Sequence, residues 1–146
     1  FALYKNGIIK KFFIHKRIRE IPLKGGSSSF AESFFDKKAY SFGKKLLDDL
    51  NWNGVAMVEF KKNLKDGKLY LMEVNPKFWG SHDLAISSGI NFASELLIQD
   101  KKFNNKMKIE YIIGKKYQWP ILDIQTSFKN PIILIKVIMD ISPMNR

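Results

Sequence analysis

Two short runs constrain this chain more than anything else in it: Val55-Ala56-Met57-Val58-Glu59-Phe60-Lys61 and Leu69-Tyr70-Leu71-Met72-Glu73-Val74-Asn75. Between them, Asn63 to Lys68 is polar and contains Asp66-Gly67, so the pair reads as a β-hairpin. Strict alternation puts Val55, Met57 and Glu59 on one face of the first strand. It puts Leu69, Leu71, Glu73 and Asn75 on one face of the second. With the turn centred near Asp66, Glu59 falls opposite Glu73, at a Cβ separation of ~4.5–5.5 Å where like charges repel. Two such carboxylates do not both stay ionised unaided: one takes a proton, or a cation bridges them. Asn75 adds a carbonyl oxygen, and three oxygen donors suit a hard divalent cation such as Mg²⁺, whose shell phosphate and water complete. Pro76 holds Asn75 extended, in line with the strand. The same spacing also fits two surface glutamates beside an Asn-Pro turn, and spacing leaves that choice open.

Around this hairpin the chain is expected to be α+β, an antiparallel sheet with flanking helices. Residues 1–21 read as another hairpin: Ala2 to Lys5, a turn at Asn6-Gly7, and a return from Ile8 to Ile21. Period two places Ile9, Lys11, Phe13, His15, Arg17 and Arg19 on one face of that return. Pro22 to Ser28 is a Gly/Ser-containing loop. Ser29 and Glu32 have capping-box spacing and predict a helix over 30–50, with Ala31, Phe34, Ala39, Phe42, Leu47 and Leu50 on its apolar stripe. Ser81 and Asn91 are candidate caps for two short helices, through about Ser88 and Gln99, with Gly89 between them. Beyond residue 100 a strand over 107–113 and an apolar segment over 131–141 are expected.

The chain has 146 residues, no cysteine and a mean hydropathy of −0.20. Without thiols no disulfide or thiolate metal site can form, and a cytoplasmic setting is expected. The longest apolar run, Pro131 to Ile135, is far too short to span a bilayer, so no membrane partner is expected. An opening Phe1-Ala2-Leu3-Tyr4, with neither initiator methionine nor signal peptide, is expected of a piece of a longer protein. The net charge of +11 attracts anions of any kind: nucleic acid, acidic lipid or nucleotide phosphate.

Taken in order, the motifs resemble the C-terminal part of an ATP-grasp domain, in particular that of carbamoyl-phosphate-synthetase-like proteins. The residues that carry the resemblance are Gly54 to Phe60, Asp66 to Lys77, Gly80-Ser81 and Ser88-Gly89-Ile90-Asn91. His15 to Glu20 followed by Gly25-Gly26-Ser27 is similar to the basic strand and Gly/Ser-rich loop of the same group. The likeness covers about residues 1–100, leaving 101–146 as a C-terminal extension. It implies Glu59, Glu73 and Asn75 as ligands of the Mg²⁺ (or Mn²⁺) that accompanies ATP. It implies Arg17, Arg19 and Lys77 as cations facing phosphate or carboxylate oxygens, and Gly25 to Ser28 as the lining on the substrate side. Lys77 stands where the family usually has arginine, which keeps the charge but loses the bidentate fork.

The implied chemistry is ligation through an acyl phosphate, in which a carboxylate substrate attacks ATP and an amine or other nucleophile then displaces phosphate. The N-terminal lobe that would cover the nucleotide is not present among these motifs. It is the expected partner, and this chain alone is expected to be inactive. Other readings of the same residues stand beside this one. Arg17 and Arg19 could be protective charges on an edge strand, and His15 could be purely structural. The basic charge, with Phe12, Phe13, Tyr40, Trp79, Tyr117 and Trp119, could instead form a nucleic-acid surface. A degenerate ATP-grasp scaffold is a third reading.

Overall fold

The computed structural model describes residues 1–21, 26–98 and 108–127, and helical backbone at Ile135, Val137 and Met139. The segment expected over 131–141 therefore lies largely outside the described residues, as does Gly25. The fold is α+β with two antiparallel sheets. One sheet has the order β2-β1-β5-β6, from β1 (Ala2–Lys5), β2 (Ile8–Phe12), β5 (Gly54–Lys62) and β6 (Leu69–Asn75). The other has the order β3-β4-β7, from β3 (His15–Ile21), β4 (Ser27–Ser33) and β7 (Lys116–Gln118). The helices are α1 (Lys37–Asp49), α2 (His82–Ser87), α3 (Phe92–Leu97) and α4 (Pro120–Ser127).

Asn6 and Gly7 both take positive φ, 53° and 71°, which is what a two-residue turn with the twist of its strands requires. The turn joins Lys5 to Ile8 in register. The return strand does not run unbroken to Ile21, however. Phe13 still donates its N–H to the Phe1 carbonyl at 2.9 Å, while the Ile14 carbonyl already accepts from the Phe34 N–H at 3.0 Å. Two successive residues thus bond to different sheets, and the chain changes sheet between them.

The expected helix over 30–50 begins later, at Lys37. Ser29 and Glu32 lie inside β4, which pairs with β3 on one side and β7 on the other. Those two ladders satisfy the backbone groups that a capping box would serve, so the local signal loses to tertiary pairing. Asp36 is the true cap, its Oδ1 accepting from the N–H groups of Lys38 at 2.9 Å and Ala39 at 3.1 Å. Of the expected stripe, Leu47 is buried, whereas Phe42 and Leu50 are about half exposed. The hairpin over 54–75 and the helices after Ser81 and Asn91 form as expected; Asn91 Oδ1 accepts from the Ser94 N–H, whereas the Ser81 side chain makes no capping bond. Residues 108–113 form no strand; the strand of this region is β7.

Phe13, Leu84 and Phe92, fully buried, centre a core that also takes in Phe12, Trp79 and Tyr111. A smaller cluster of Ala2, Tyr4, Leu47 and Ala56 packs α1 onto the first sheet, and Tyr4 donates its hydroxyl to Asp48 Oδ1 at 2.9 Å. Buried Ser33 fastens the 111–115 loop to β4: its Oγ donates to the Ile112 carbonyl at 2.7 Å and accepts from the Lys115 N–H at 2.9 Å. Among the described residues, no helix is long and apolar enough to cross a membrane. Leu47 is 1% exposed, the only residue of α1 so deeply placed. Leu47→Ala is expected to destabilise the fold by about 2–5 kcal/mol, read from urea unfolding, with the larger value if the cavity does not collapse.

Candidate functional site

The site is assembled by two strands from one sheet and one from the other. In the β5–β6 ladder, Met57 pairs with Asn75, Val58 with Val74 and Glu59 with Glu73, so the two carboxylates are directly opposed. The next pair is Phe60 with Leu71, which leaves Met72 as an extra residue in β6. This bulge corrects the simple alternation. Leu71 stands across from Phe60, on the face away from Glu59, and does not share the face of Glu73. Met72 lines the same cleft as Glu59 and Glu73. Bulges re-aim side chains in this way, and they concentrate next to functional sites.

β3 approaches from the second sheet and brings Arg17. Its Nη2 donates to Glu59 Oε2, and its Nη1 donates to the Gly26 carbonyl at 3.1 Å and to Glu20 Oε1 at 3.5 Å. Asn75 Nδ2 donates to Glu73 Oε1 at 2.7 Å. Each opposed carboxylate therefore has its own donor: a guanidinium for Glu59 and an amide for Glu73. Glu59, Asn75 and Arg17 are half-buried, while Glu73 and Lys77 are exposed. These five residues line one cleft of about 780 Å³, together with Ser27 and Ser28 from the start of β4 and Gly80-Ser81 ahead of α2.

Arg19 is not brought to this cleft. Arg17 pairs with Ala31 and Arg19 with Phe30, so Ile18 is an extra residue in β3 and the two arginines turn to opposite faces. The Arg19 guanidinium lies over the Phe30 ring, 5.3 Å from its centroid. Sequence alternation placed the two together because a bulge has no composition signal of its own.

His15 and Trp79 form the inner wall; in the sequence Trp79 stood only among the aromatics of a nucleic-acid surface. Trp79 stacks on Phe1 with ring centroids 3.9 Å apart, and the His15 ring meets Phe1 edge-on at 4.8 Å. The Nε1 of Trp79 and the Nδ1 of His15 are buried with no hydrogen-bond partner. Burial above all, with neighbouring positive charge including Arg17 adding to it, pushes the His15 imidazole down to about 3. It is therefore neutral at ordinary pH and is not a proton donor there.

Among the described residues, no group of three or more His, Cys, Asp or Glu is gathered. What the cleft offers is two carboxylates and the Oδ1 of Asn75, which its bond to Glu73 leaves free to ligate. All are hard oxygen donors, and they are open on one side. Such a set fits a Mg²⁺ ion that brings phosphate and water with it, and does not fit a closed protein cage. Lys77 and Arg17 supply the positive charge that a phosphate would meet at the same cleft.

The depressed His15 pKa carries a sign. An imidazole that titrates near 3 when folded and near 6.5 when unfolded binds its proton mainly in the unfolded chain. Its contribution is complete above about pH 6.5 and is lost as pH falls towards 3, by at most ~1.4 kcal/mol per pH unit. Burial lowers the His82 imidazole as well, in the same direction. Urea unfolding near pH 7 and near pH 5 is expected to show a smaller stability difference in His15→Phe than in the parent chain.

Neither a scan against protein-family models nor a search of curated proteins returns a match for this chain.

Proposed function

We propose that this cleft receives the phosphates of a Mg²⁺-bound nucleotide, and that the chain is the metal- and phosphate-binding lobe of an ATP-grasp carboxylate ligase. One observation carries the reading: Glu59 and Glu73 stand directly opposed at a cleft that also holds Asn75, Arg17 and Lys77. That set joins acidic oxygen ligands to cationic phosphate contacts, as phosphoryl transfer needs. The order of motifs in the sequence supports the same reading.

Glu59, Glu73 and Asn75 would hold the ion, and bound Mg²⁺ supplies neutralisation of charge on a transferring phosphoryl group. Arg17 neutralises Glu59, and its guanidinium would meet an anionic phosphate oxygen in exchange for the Nη1 bonds to Gly26 and Glu20. Lys77, exposed on the rim, acts as a point charge. Catalysis on this reading is positioning and electrostatics, and no side chain is required as a covalent nucleophile. Arg19, stacked on Phe30, has no part in it. A second lobe to cover the nucleotide belongs to the proposal, so this chain alone is expected to bind Mg²⁺-ATP weakly and not to turn it over.

Burial weighs against the nucleic-acid reading. Phe12, Phe13 and Trp79 are core residues, and Tyr40 packs on Phe12 with centroids 4.5 Å apart, so none of them offers a stacking platform. Mn²⁺ with ATP is expected to broaden the amide resonances of Glu59, Glu73 and Asn75 selectively. Glu73→Ala and Asn75→Ala are each expected to weaken that response about tenfold or more. Broadening that ignores both substitutions, together with salt-sensitive DNA binding that also ignores them, would overturn the proposal.

A further inference from the structure

The two opposed carboxylates of the cleft do not have equivalent partners. Glu73 accepts at one oxygen from the neutral amide of Asn75, at 2.7 Å, which leaves its charge and its second oxygen to a cation. Glu59 accepts instead from a full positive charge, the guanidinium of Arg17. That charge comes from the other sheet: β3 carries Arg17, and the Gly26 carbonyl and Glu20 Oε1 accept from its Nη1. The ion pair is half-buried, its side chains 24% and 26% exposed, so salt screens it less than it would a surface pair.

The charged side chains that line this cleft balance, Arg17 and Lys77 against Glu59 and Glu73. His15 and Trp79 close the inner side, so an imbalance of charge is not spread into water there. A bare dication entering this set leaves two positive charges uncompensated, and finds a guanidinium already on one of the carboxylates it seeks. A phosphate arriving alone meets two carboxylates. An ion and a phosphate arriving together satisfy both signs.

Taking the cleft as a Mg²⁺ and phosphate site, on which this inference rests, we propose that the Arg17–Glu59 ion pair is a latch that couples the two ligands, so that the cleft takes a divalent cation and phosphate together and resists either alone. A dication that ligates Glu59 displaces the guanidinium from Oε2. A phosphate oxygen that draws the guanidinium across releases the same carboxylate. Both ligands thus break one internal contact, and whichever enters first spares the second that cost. Coupling of this kind is reciprocal: the factor by which phosphate tightens the ion is the factor by which the ion tightens phosphate. The main chain at Arg17 stays in place throughout, because it is paired with Ala31 in the β3–β4 ladder. Neither of the other cations implied for the site can serve as the latch: Arg19 is stacked on Phe30, and Lys77 is exposed on the rim.

The test follows Mn²⁺ binding to the whole chain through broadening of the Glu73 and Asn75 amide resonances, with and without inorganic triphosphate at equal free Mn²⁺. Arg17→Gln removes the charge and keeps a donor. It is expected to tighten Mn²⁺ alone about tenfold, and to lose the gain of similar size that triphosphate gives the parent chain. Mn²⁺ that binds Arg17→Gln no tighter than the parent overturns the latch. The parent chain supplies a second measurement that needs no variant. As Mg²⁺ saturates the Glu73 and Asn75 amide shifts, the Arg17 Nε resonance is expected to move in step with them, and a guanidinium signal that stays fixed also overturns the latch. Glu73→Ala separates this inference from the reading beneath it. No Mn²⁺ response at these amides, or one that ignores Glu73→Ala, removes the metal site and the latch with it. A response that needs Glu73 but is indifferent to Arg17→Gln removes the latch alone.

Discussion

The step from Phe13 to Ile14 is the joint on which the rest of the architecture hangs. Phe13 is fully buried and still bonded to β1's approach, while Ile14 is already bonded to the segment after β4. Aromatic burial holds the approach to the joint: Phe12 and Phe13 pack against Tyr111, at centroid distances of 6.0 and 4.9 Å. Because the joint is fixed, β3 runs past β5 without bonding to it. The reach of Arg17 to Glu59 follows from that offset.

Two bulges then decide which charges meet. Met72 in β6 restores Glu73 and Asn75 to the face of Glu59 after a stretch that would otherwise be out of phase. Ile18 in β3 sends Arg17 and Arg19 to opposite sides. The result is one arginine, not two, at the acidic pair. Electrostatically this is coherent. Glu59 is half-buried, where an unpaired carboxylate is costly, and it receives the guanidinium; Glu73 is exposed, where water shares the load, and an amide is enough.

The wall behind these charges is apolar and aromatic. His15, Phe1 and Trp79 pack face to face and edge to face, which keeps His15 neutral and leaves two ring nitrogens without partners. A dry wall behind a charged rim strengthens every interaction made at that rim, because the local dielectric is low on one side. The basic surface of the chain is thus not uniform in effect: most lysines face water, whereas Arg17 acts against a protein wall.

Much of the site was legible in the sequence because it depends on local rules. Asp66-Gly67 sets the turn and the turn sets the pairing from Lys62↔Leu69 to Phe60↔Leu71, but opposing Glu59 to Glu73 takes the Met72 bulge as well. The Asn6-Gly7 turn and the short helix capped by Asn91 follow in the same way, from residues acting on their own neighbours. The start of α1 was misread because a capping box is also a local rule, yet β4 pairs with residues 6–18 positions before it on one edge and 84–88 after it on the other. The bulges, the change of sheet at Phe13 and the separation of Arg17 from Arg19 were not legible at all. Each is a compromise between ladders formed by distant segments, and no residue advertises it. The sequence by itself determined the acidic hairpin and its donor chemistry, because turn and period are properties of a few adjacent residues. Tertiary structure alone decided which cation answers the acids, because that depends on how two sheets are offset around a buried aromatic joint.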